Sequence, residues 1–374
     1  MSWHTEDHPE LRDGPPWVME EMIAAQPALA EAILDAPAPV AAAIGRAVDA
    51  ALAAGQPVTV VGCGTSEHGA RGIAALIAGA AAPEHRPLVR ARQALTAAAN
   101  PAGGVCVAVS HDGGTRATEL AALAARAAGA TVAVVTRAPD GSVAATADHV
   151  LVTPVHDASW CHTIGYTSAL LGGAAIAGPL DAGGGSAARD VLAASTALDA
   201  AAVAARLADR RVVLCAGAGV DHVTARELAL KVAEGARQPT IALELETVVH
   251  GQLAGHEAAD GLILVAIDDG TPEAQRVARR AGHVAAAAAA IGIPVAALLS
   301  SSYDAALAPE LTPAGRLVVD APADRLAALL AGAGALQALT LALAHTRGTN
   351  PDLIRREEAA YRAAAAAAED PSGW

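Results

Sequence analysis

Residues 58–77 constrain the fold more than any other stretch of this sequence. The apolar run 58–61 predicts a buried strand, and apolar residues recur at helical spacing from Ala70 to Ile77. Between them lie two glycines and two hydroxyl residues, Gly62, Gly64, Thr65 and Ser66. This pattern of strand, glycine turn and helix exposes backbone N–H groups at a helix N-terminus, which favours an anion such as phosphate. An ordinary tight turn in a parallel sheet would show the same pattern.

Composition excludes several classes of function. The chain has 374 residues and a net charge of −14, which argues against binding to nucleic acid or anionic membranes. Its four cysteines are widely spaced and form no Cys-x-x-Cys motif, so we expect buried thiols in a reducing cytosol and no metal or redox cofactor. The polar N-terminus predicts no signal peptide, so we expect a cytoplasmic protein.

Strand and helix patterns alternate along the whole chain. Apolar runs at 105–109, 129–136 and 150–152 follow the first strand, with helical patterns between them. A helix pair punctuated by Pro27 is predicted near the N-terminus. The runs at 211–219, 262–271 and 292–299 repeat the plan after roughly 155 to 160 residues, the size of a domain. The pattern predicts two similar α/β domains with parallel sheets, whose ligands bind at the carboxyl ends of the strands.

Four stretches occur in an order that resembles one known family. Residues 19–27 resemble its Met-x-x-Glu-Ile-x-x-Gln-Pro helix, and 63–66 match its Cys-Gly-Thr-Ser turn. Residues 110–115 lie where it has Ser-Gln-Ser-Gly-Glu-Thr, and 227–234 with 250–251 match its Glu-x-x-x-Lys-x-x-Glu helix and the start of its His-Gly-Pro. The family is that of tandem sugar isomerase (SIS) domains, including the isomerase half of glutamine–fructose-6-phosphate aminotransferase and stand-alone sugar-phosphate isomerases and deaminases.

The resemblance implies a domain plan. It implies an N-terminal helical segment at 1–50, SIS domains at 51–190 and 191–345, and a tail at 346–374 that covers the site. Each domain is expected to be a doubly wound, flavodoxin-like three-layer sandwich, joined to the other by helical connectors. A homodimer is expected, because the family's counterpart of His250 serves the neighbouring subunit.

The resemblance also implies residue roles. Glu234 is expected to carry a proton between C1 and C2 of a ketose or aldose phosphate, with Lys231 stabilising the enediolate. Glu227 lies on the same helix face, and His250 is expected to help open the sugar ring. The expected substrate-binding residues are Gly64, Thr65, Ser66, Ser110, His111, Asp112, Gly113, Thr115 and Thr163. For the Glu227, Lys231 and Glu234 set, the alternative is a solvent-facing ladder of ion pairs.

Several departures from the family leave alternatives open. His111 and Asp112 replace Gln and Ser, and an ionised Asp112 would repel phosphate in that turn. Asp112 is predicted to act instead as a helix N-cap. The tail contains no counterpart of the lysine that forms an imine with the keto sugar, and we expect no glutaminase half, which weakens the aminotransferase interpretation. The predicted function is sugar-phosphate isomerisation or amino sugar phosphate deamination; the alternatives are a non-catalytic binding module for carbohydrate derivatives and a partner-dependent or ammonia-dependent aminotransferase.

Overall fold

Strands and helices alternate through the first half of the chain, as the sequence predicts. The computed structural model describes residues 12–35, 38–178, 184–305 and 307–368. Its first half contains α1 (Val18–Leu34), α2 (Pro39–Ala53), β1 (Val58–Gly62), α3 (Thr65–Ala80), β2 (Val89–Gln93), α4 (Ala94–Ala99), β3 (Val105–Val109), α5 (Arg116–Ala127), β4 (Thr131–Thr136), β5 (His149–Val152) and α6 (Ile164–Ala177).

The second half has the same alternation. It contains α7 (Gly184–Thr196), α8 (Ala201–Leu207), β6 (Val213–Gly217), α9 (Val220–Gly235), β7 (Thr240–Glu244), α10 (Leu245–Val249), β8 (Gly261–Ala266), α11 (Ala274–Ala290), β9 (Val295–Ser300), α12 (Ser301–Asp304), β10 (Gly315–Val319), α13 (Arg325–Arg347) and α14 (Ala359–Ala368).

The strands form two five-stranded parallel sheets. The first has the order β2-β1-β3-β4-β5, and the second has the order β10-β9-β8-β6-β7, which is the same topology read from the other edge. All pairings are parallel, so the carboxyl ends of the strands in each sheet lie on one edge. The predicted α/β fold with two parallel sheets is therefore confirmed.

Both faces of each sheet are covered, which explains the continuous apolar runs. Val60 and Val61 are adjacent in β1 but pack into different hydrophobic clusters, one on each face of the first sheet. Leu214 and Cys215 in β6 do the same in the second sheet. Successive strand residues point to opposite faces, so only a sheet between two helical layers can bury every residue of such a run. Each half is thus a three-layer sandwich.

Helix α13 is the main apolar helix of the core. By length and composition it would suffice to cross a membrane, but 83% of its most apolar window is buried inside the structure. It packs against α7, α8 and α9. Its apolar character is accounted for by this packing, because a helix surrounded by other elements is hydrophobic on all sides.

The prediction of two helices divided at Pro27 is wrong, because α1 continues through Pro27. Proline removes one backbone hydrogen bond and disfavours a helix interior. Here the residues on either side are held by the core: Gln26 donates to Gln337 and accepts from Thr167, both at 2.5 Å, and Leu29 and Ala30 are buried. Tertiary packing therefore keeps the helix continuous.

The predicted domain boundaries stay predictions. The boundary after residue 50 falls in α2, that after 190 falls in α7, and that after 345 falls in α13. The two halves meet where α3 of the first packs against α9 of the second. This contact brings the glycine turn of one half against the Glu-x-x-x-Lys-x-x-Glu helix of the other.

Candidate active site

The turn between β1 and α3 brings the chain very close to itself. A Cβ atom at Gly62 would lie 2.4 Å from the backbone oxygen of Ser66, so only glycine fits there. Gly64 has a φ of +55° and is the N-cap of α3, a conformation that favours glycine. Thr65 is buried as the first helical residue and Ser66 is half-buried. The predicted glycine turn thus exists as a helix N-terminus at the carboxyl edge of the first sheet, and its binding of an anion stays a prediction.

The turn between β3 and α5 brings together the two hydroxyls that the sequence predicts there. Ser110 Oγ donates to Thr115 Oγ1 at 3.4 Å, and Ser110 is buried. Gly113 lies between them in the turn. Because β1 and β3 are neighbours in the sheet, this turn adjoins the turn at Gly64 along the same edge.

The prediction that Asp112 is the N-cap of α5 is wrong. The N-cap is Thr115, and no side chain caps it. The Asp112 carboxylate is 58% exposed, and His162 Nε2 lies 3.8 Å from its Oδ2. Burial lowers the pKa of His162 to about 3, so this contact is not an ion pair at neutral pH. Asp112 lies three residues before the cap, so its carboxylate faces the neighbouring loop instead of the helix N–H groups. Burial raises the pKa of Asp112, while His156 and Arg137 oppose that shift.

Glu227, Lys231 and Glu234 share one face of α9, as their spacing predicts. Lys231 Nζ forms an ion pair with Glu234 and lies 3.7 Å from Glu227 Oε1. Glu227 and Lys231 are buried, and the side chain of Glu234 is 23% exposed. The alternative of a solvent-facing ladder is therefore wrong, because α3 and the loop before α6 cover this face.

His68 completes this cluster, and sequence reasoning missed it. Its Nδ1 lies 2.6 Å from Glu227 Oε2, and His68 is buried. Thr65 contributes to lowering the pKa of the Glu227 carboxyl. A signal was present in the sequence: His68 comes three residues after Thr65, so both project from the same face of α3 at its N-terminus. The glycine turn and the ion-pair helix are thus parts of one site.

The cluster keeps Lys231 charged. Burial alone would lower the pKa of Lys231, but the carboxylates of Glu234 and Glu227 raise it well above its usual range. Burial would likewise raise the pKa of Glu227, but Lys231 and the hydrogen bond from His68 outweigh it, so the pKa of Glu227 is lowered. In Glu234 burial prevails over the ion pair and raises the pKa. The site therefore holds a cation, a firmly ionised carboxylate and a carboxylate that accepts a proton more readily.

Lys231 is the one lysine among the 25 lysine and arginine residues of the sequence. All the other residues in that count are arginines. A compact ammonium group fits between two carboxylates in a closed space, whereas the planar guanidinium of arginine needs more room. This composition is a second signal that sequence reasoning could have used to single out Lys231.

Loop 153–163, the segment between β5 and α6, connects the two turns to α9. Thr163 is buried, and its backbone N–H donates to Asp157 Oδ2 at 2.6 Å. The backbone N–H of Asp157 donates to His111 Nε2 at 3.0 Å, and the Cys161 thiol donates to the Lys231 carbonyl at 3.9 Å. Burial raises the pKa of Asp157 to about 7 and lowers that of His111 to about 4.

His250 is not brought to the cluster within one chain. Its side chain is 74% exposed, and its Nε2 lies 3.3 Å from Glu246 in α10. Across residues 12–35, 38–178, 184–305 and 307–368, no hydrogen bond or ion pair joins it to Glu227, Lys231 or Glu234. Its expected service to a neighbouring subunit stays a prediction.

The C-terminal tail lies on loop 153–163. The Asp352 carboxylate accepts the N–H groups of Val18 and Met19 at 2.8 Å each, which caps α1, and its carbonyl accepts the N–H of Trp160 at 3.0 Å. Arg356 stacks 4.7 Å above the Trp160 ring. The tail thereby fixes the loop that contains Asp157 and Cys161. That it covers a bound substrate stays a prediction.

A family comparison agrees with the first half of this description. Residues 53–177 match the SIS domain model. The matched range contains both hydroxyl-bearing turns, His68 and Thr163. The second sheet lies outside the matched range, so a second SIS domain stays a prediction. No curated protein matches the chain.

Several solved structures share the fold over most of the chain. The C-terminal domain of glucosamine-fructose-6-phosphate aminotransferase from Francisella tularensis has a TM-score of 0.69 and 17% identity, covering 92% of this chain and 99% of that one. Tagatose-6-phosphate ketose/aldose isomerase from Escherichia coli has a TM-score of 0.74 and 16% identity, covering 93% of this chain and 98% of that one. Glucosamine-6-phosphate deaminase from Thermotoga maritima has a TM-score of 0.61 and 16% identity, covering 91% of this chain and 98% of that one. At such low identity these matches establish the fold alone.

Proposed function

We propose that this protein is an enzyme that transfers a proton between C1 and C2 of a sugar phosphate, as an isomerase or as an amino sugar phosphate deaminase. One observation carries the proposal: the buried Glu227 and Lys231, with the partly exposed Glu234, are joined through His68 to a helix whose N-terminus is suited to phosphate. A merely structural ion-pair network would not need to begin at an anion-binding turn.

The proposed mechanism assigns each group a separate task. Glu234 is the base, because its pKa is raised and its side chain is partly accessible. Lys231 remains protonated and stabilises the negative charge that develops on the enediolate oxygens. Glu227 holds Lys231 and accepts the hydrogen bond from His68. The N–H groups of Gly64 and Thr65 and the hydroxyls of Ser66, Ser110 and Thr115 bind the phosphate.

The substrates of the structural neighbours provide a first panel. Fructose 6-phosphate, tagatose 6-phosphate and glucosamine 6-phosphate are incubated with the protein, and both aldose–ketose conversion and ammonia release are measured. We expect turnover of a phosphosugar by the wild type and its loss in Glu234→Gln. Glu84→Gln is the matched control, because Glu84 is exposed and lies outside the cluster. Equal activity of the wild type and Glu234→Gln on every substrate would refute the proposal.

A non-catalytic module that binds carbohydrate derivatives is the second candidate. Asp112 favours it, because a carboxylate in the Ser110–Thr115 turn weakens phosphate binding, and so does the absence of lysine from the tail. Ligand-induced thermal stabilisation without turnover in the same panel would support this candidate. A homodimer that shares His250 between subunits belongs to the enzyme proposal, since one chain leaves His250 in solvent.

A further inference from the structure

Two loops at the carboxyl edge of the first sheet bring together imidazole and carboxylate side chains. His111 and Asp112 follow β3, and His156 follows β5. One donor atom from each of these three residues lies within 4.8 Å of the other two. The His111 and His156 rings stack with centroids 6.0 Å apart, and the ring of His162 meets His111 edge-on at 5.5 Å. Separate loops thus converge on one spot.

Most of these side chains lack hydrogen bonds of their own. Within the described ranges, the side chains of Asp112, His156 and His162 make no hydrogen bond to another protein group, and His162 Nε2 lies 3.8 Å from Asp112 Oδ2. His111 is the exception, because its Nε2 accepts the N–H of Asp157. Asp112 and His156 are exposed, so a ligand bound at this spot would displace water from them and compete with the one protein hydrogen bond of His111.

The charges also favour a cation at this spot. Asp112 contributes one negative charge, and the neighbouring imidazoles have lone pairs suited to a metal. Arg137 is the cation that acts on Asp112 and His111, and it opposes a metal. The carboxylate of Asp112 offsets the repulsion between Arg137 and a metal ion. Imidazole with carboxylate is a donor set typical of zinc, cobalt and nickel, and is less suited to calcium or magnesium, which prefer oxygen ligands.

We propose that His111, Asp112 and His156 bind one divalent transition-metal ion. This inference departs from the sequence-based expectation that no metal is bound, and it does not depend on the proposed enzyme activity. The site adjoins Ser110 and Thr115, so the ion would neutralise Asp112 beside the predicted phosphate-binding hydroxyls. It would convert a carboxylate that repels phosphate into part of a site that attracts it.

Cobalt provides a direct probe of the site. The full chain is treated with a chelator, passed through a desalting column and titrated with Co²⁺, whose visible absorption reports coordination by nitrogen and oxygen ligands. We expect bands that saturate at one ion per chain and are displaced by Zn²⁺. Asp112→Asn and His156→Asn should each weaken cobalt binding by about tenfold or more, because even outer-shell substitutions at metal sites have effects of that size.

His149→Asn is the matched control. His149 lies at the amino end of β5, whereas His156 follows the carboxyl end of the same strand. The His149→Asn substitution should leave cobalt binding unchanged. Asp112 and His156 are exposed, so their substitution is expected to leave the fold intact, which thermal unfolding of the metal-free proteins checks. Absence of saturable bands in the wild type, or equal affinity in wild type and both variants, would overturn the proposal.

Discussion

His68 Nδ1 lies 2.6 Å from Glu227 Oε2, so that a histidine of α3 and a glutamate of α9 form a buried hydrogen bond between the two halves of the chain. These residues are 159 positions apart. The contact joins the glycine turn of the first sheet to the ion-pair helix of the second half. It also fixes the imidazole, because a neutral His68 that donates from Nδ1 leaves Nε2 as an acceptor.

Replacing His68 tests the importance of that bond. His68→Leu leaves the buried Glu227 carboxylate without this donor, and we expect a loss of about 1–3 kcal/mol in the free energy of unfolding. His68→Asn retains an N–H donor at a similar position and should lose less. Urea unfolding measures both variants. His283→Leu, a change at an exposed histidine on α11, is the control and should have little effect.

Replacing Lys231 tests the buried ion pairs. Lys231→Met leaves Glu227 and Glu234 facing each other without their cation, and we expect a loss of about 3–5 kcal/mol at neutral pH. Without the cation both carboxyls have folded-state pKa values above their unfolded values, so the variant is least destabilised at low pH and loses stability as the pH rises through those folded-state values. Urea unfolding at several pH values measures this. A deficit independent of pH would contradict the prediction, and Lys231→Arg tests whether charge alone suffices.

The pKa of Glu234 predicts the acid limb of the activity profile. Burial raises this pKa above the ordinary 4.5, so the base is protonated and activity falls at a higher pH than for an exposed glutamate. The negative charge of Glu227 contributes to the rise, so Glu227→Gln should move the acid limb of kcat/KM to lower pH. The same substrate is used for both proteins, so titration of its phosphate cancels. An unmoved limb would exclude Glu234 as the titrating base.

Mixed dimers test the expected role of His250. Glu234→Gln and His250→Ala chains are each expected to be inactive alone. If His250 acts in the neighbouring site, a mixed dimer has one intact site, and random exchange should restore about a quarter of the wild-type activity. Differently tagged chains confirm the exchange. No recovery after confirmed exchange would show that the site is not shared in this way.

Local patterns were sufficient to predict most of the strands and the glycine turns, but strands β7 and β10 of the second sheet were missed. The strand near Val58 and its glycine turn follow from residues close in sequence. The spacing of apolar residues and the presence of glycine and hydroxyl residues determine local backbone structure over only a few positions. The approach of Ser110 to Thr115 follows for the same reason. The shared face of Glu227, Lys231 and Glu234 was also predictable, because helical spacing alone determines it.

Tertiary structure decided what those local features contact. Helical spacing specifies which residues share a face but not what covers it, so only packing of α3 on α9 shows that Lys231 is buried and that His68 bonds to Glu227. Packing around Gln26 keeps α1 continuous through Pro27, against its local preference. Likewise His111 and His156 come from different loops and are near each other only because parallel strands end at one edge. Sequence therefore determined the elements and their faces, while burial and contacts between distant residues determined the chemistry of the site.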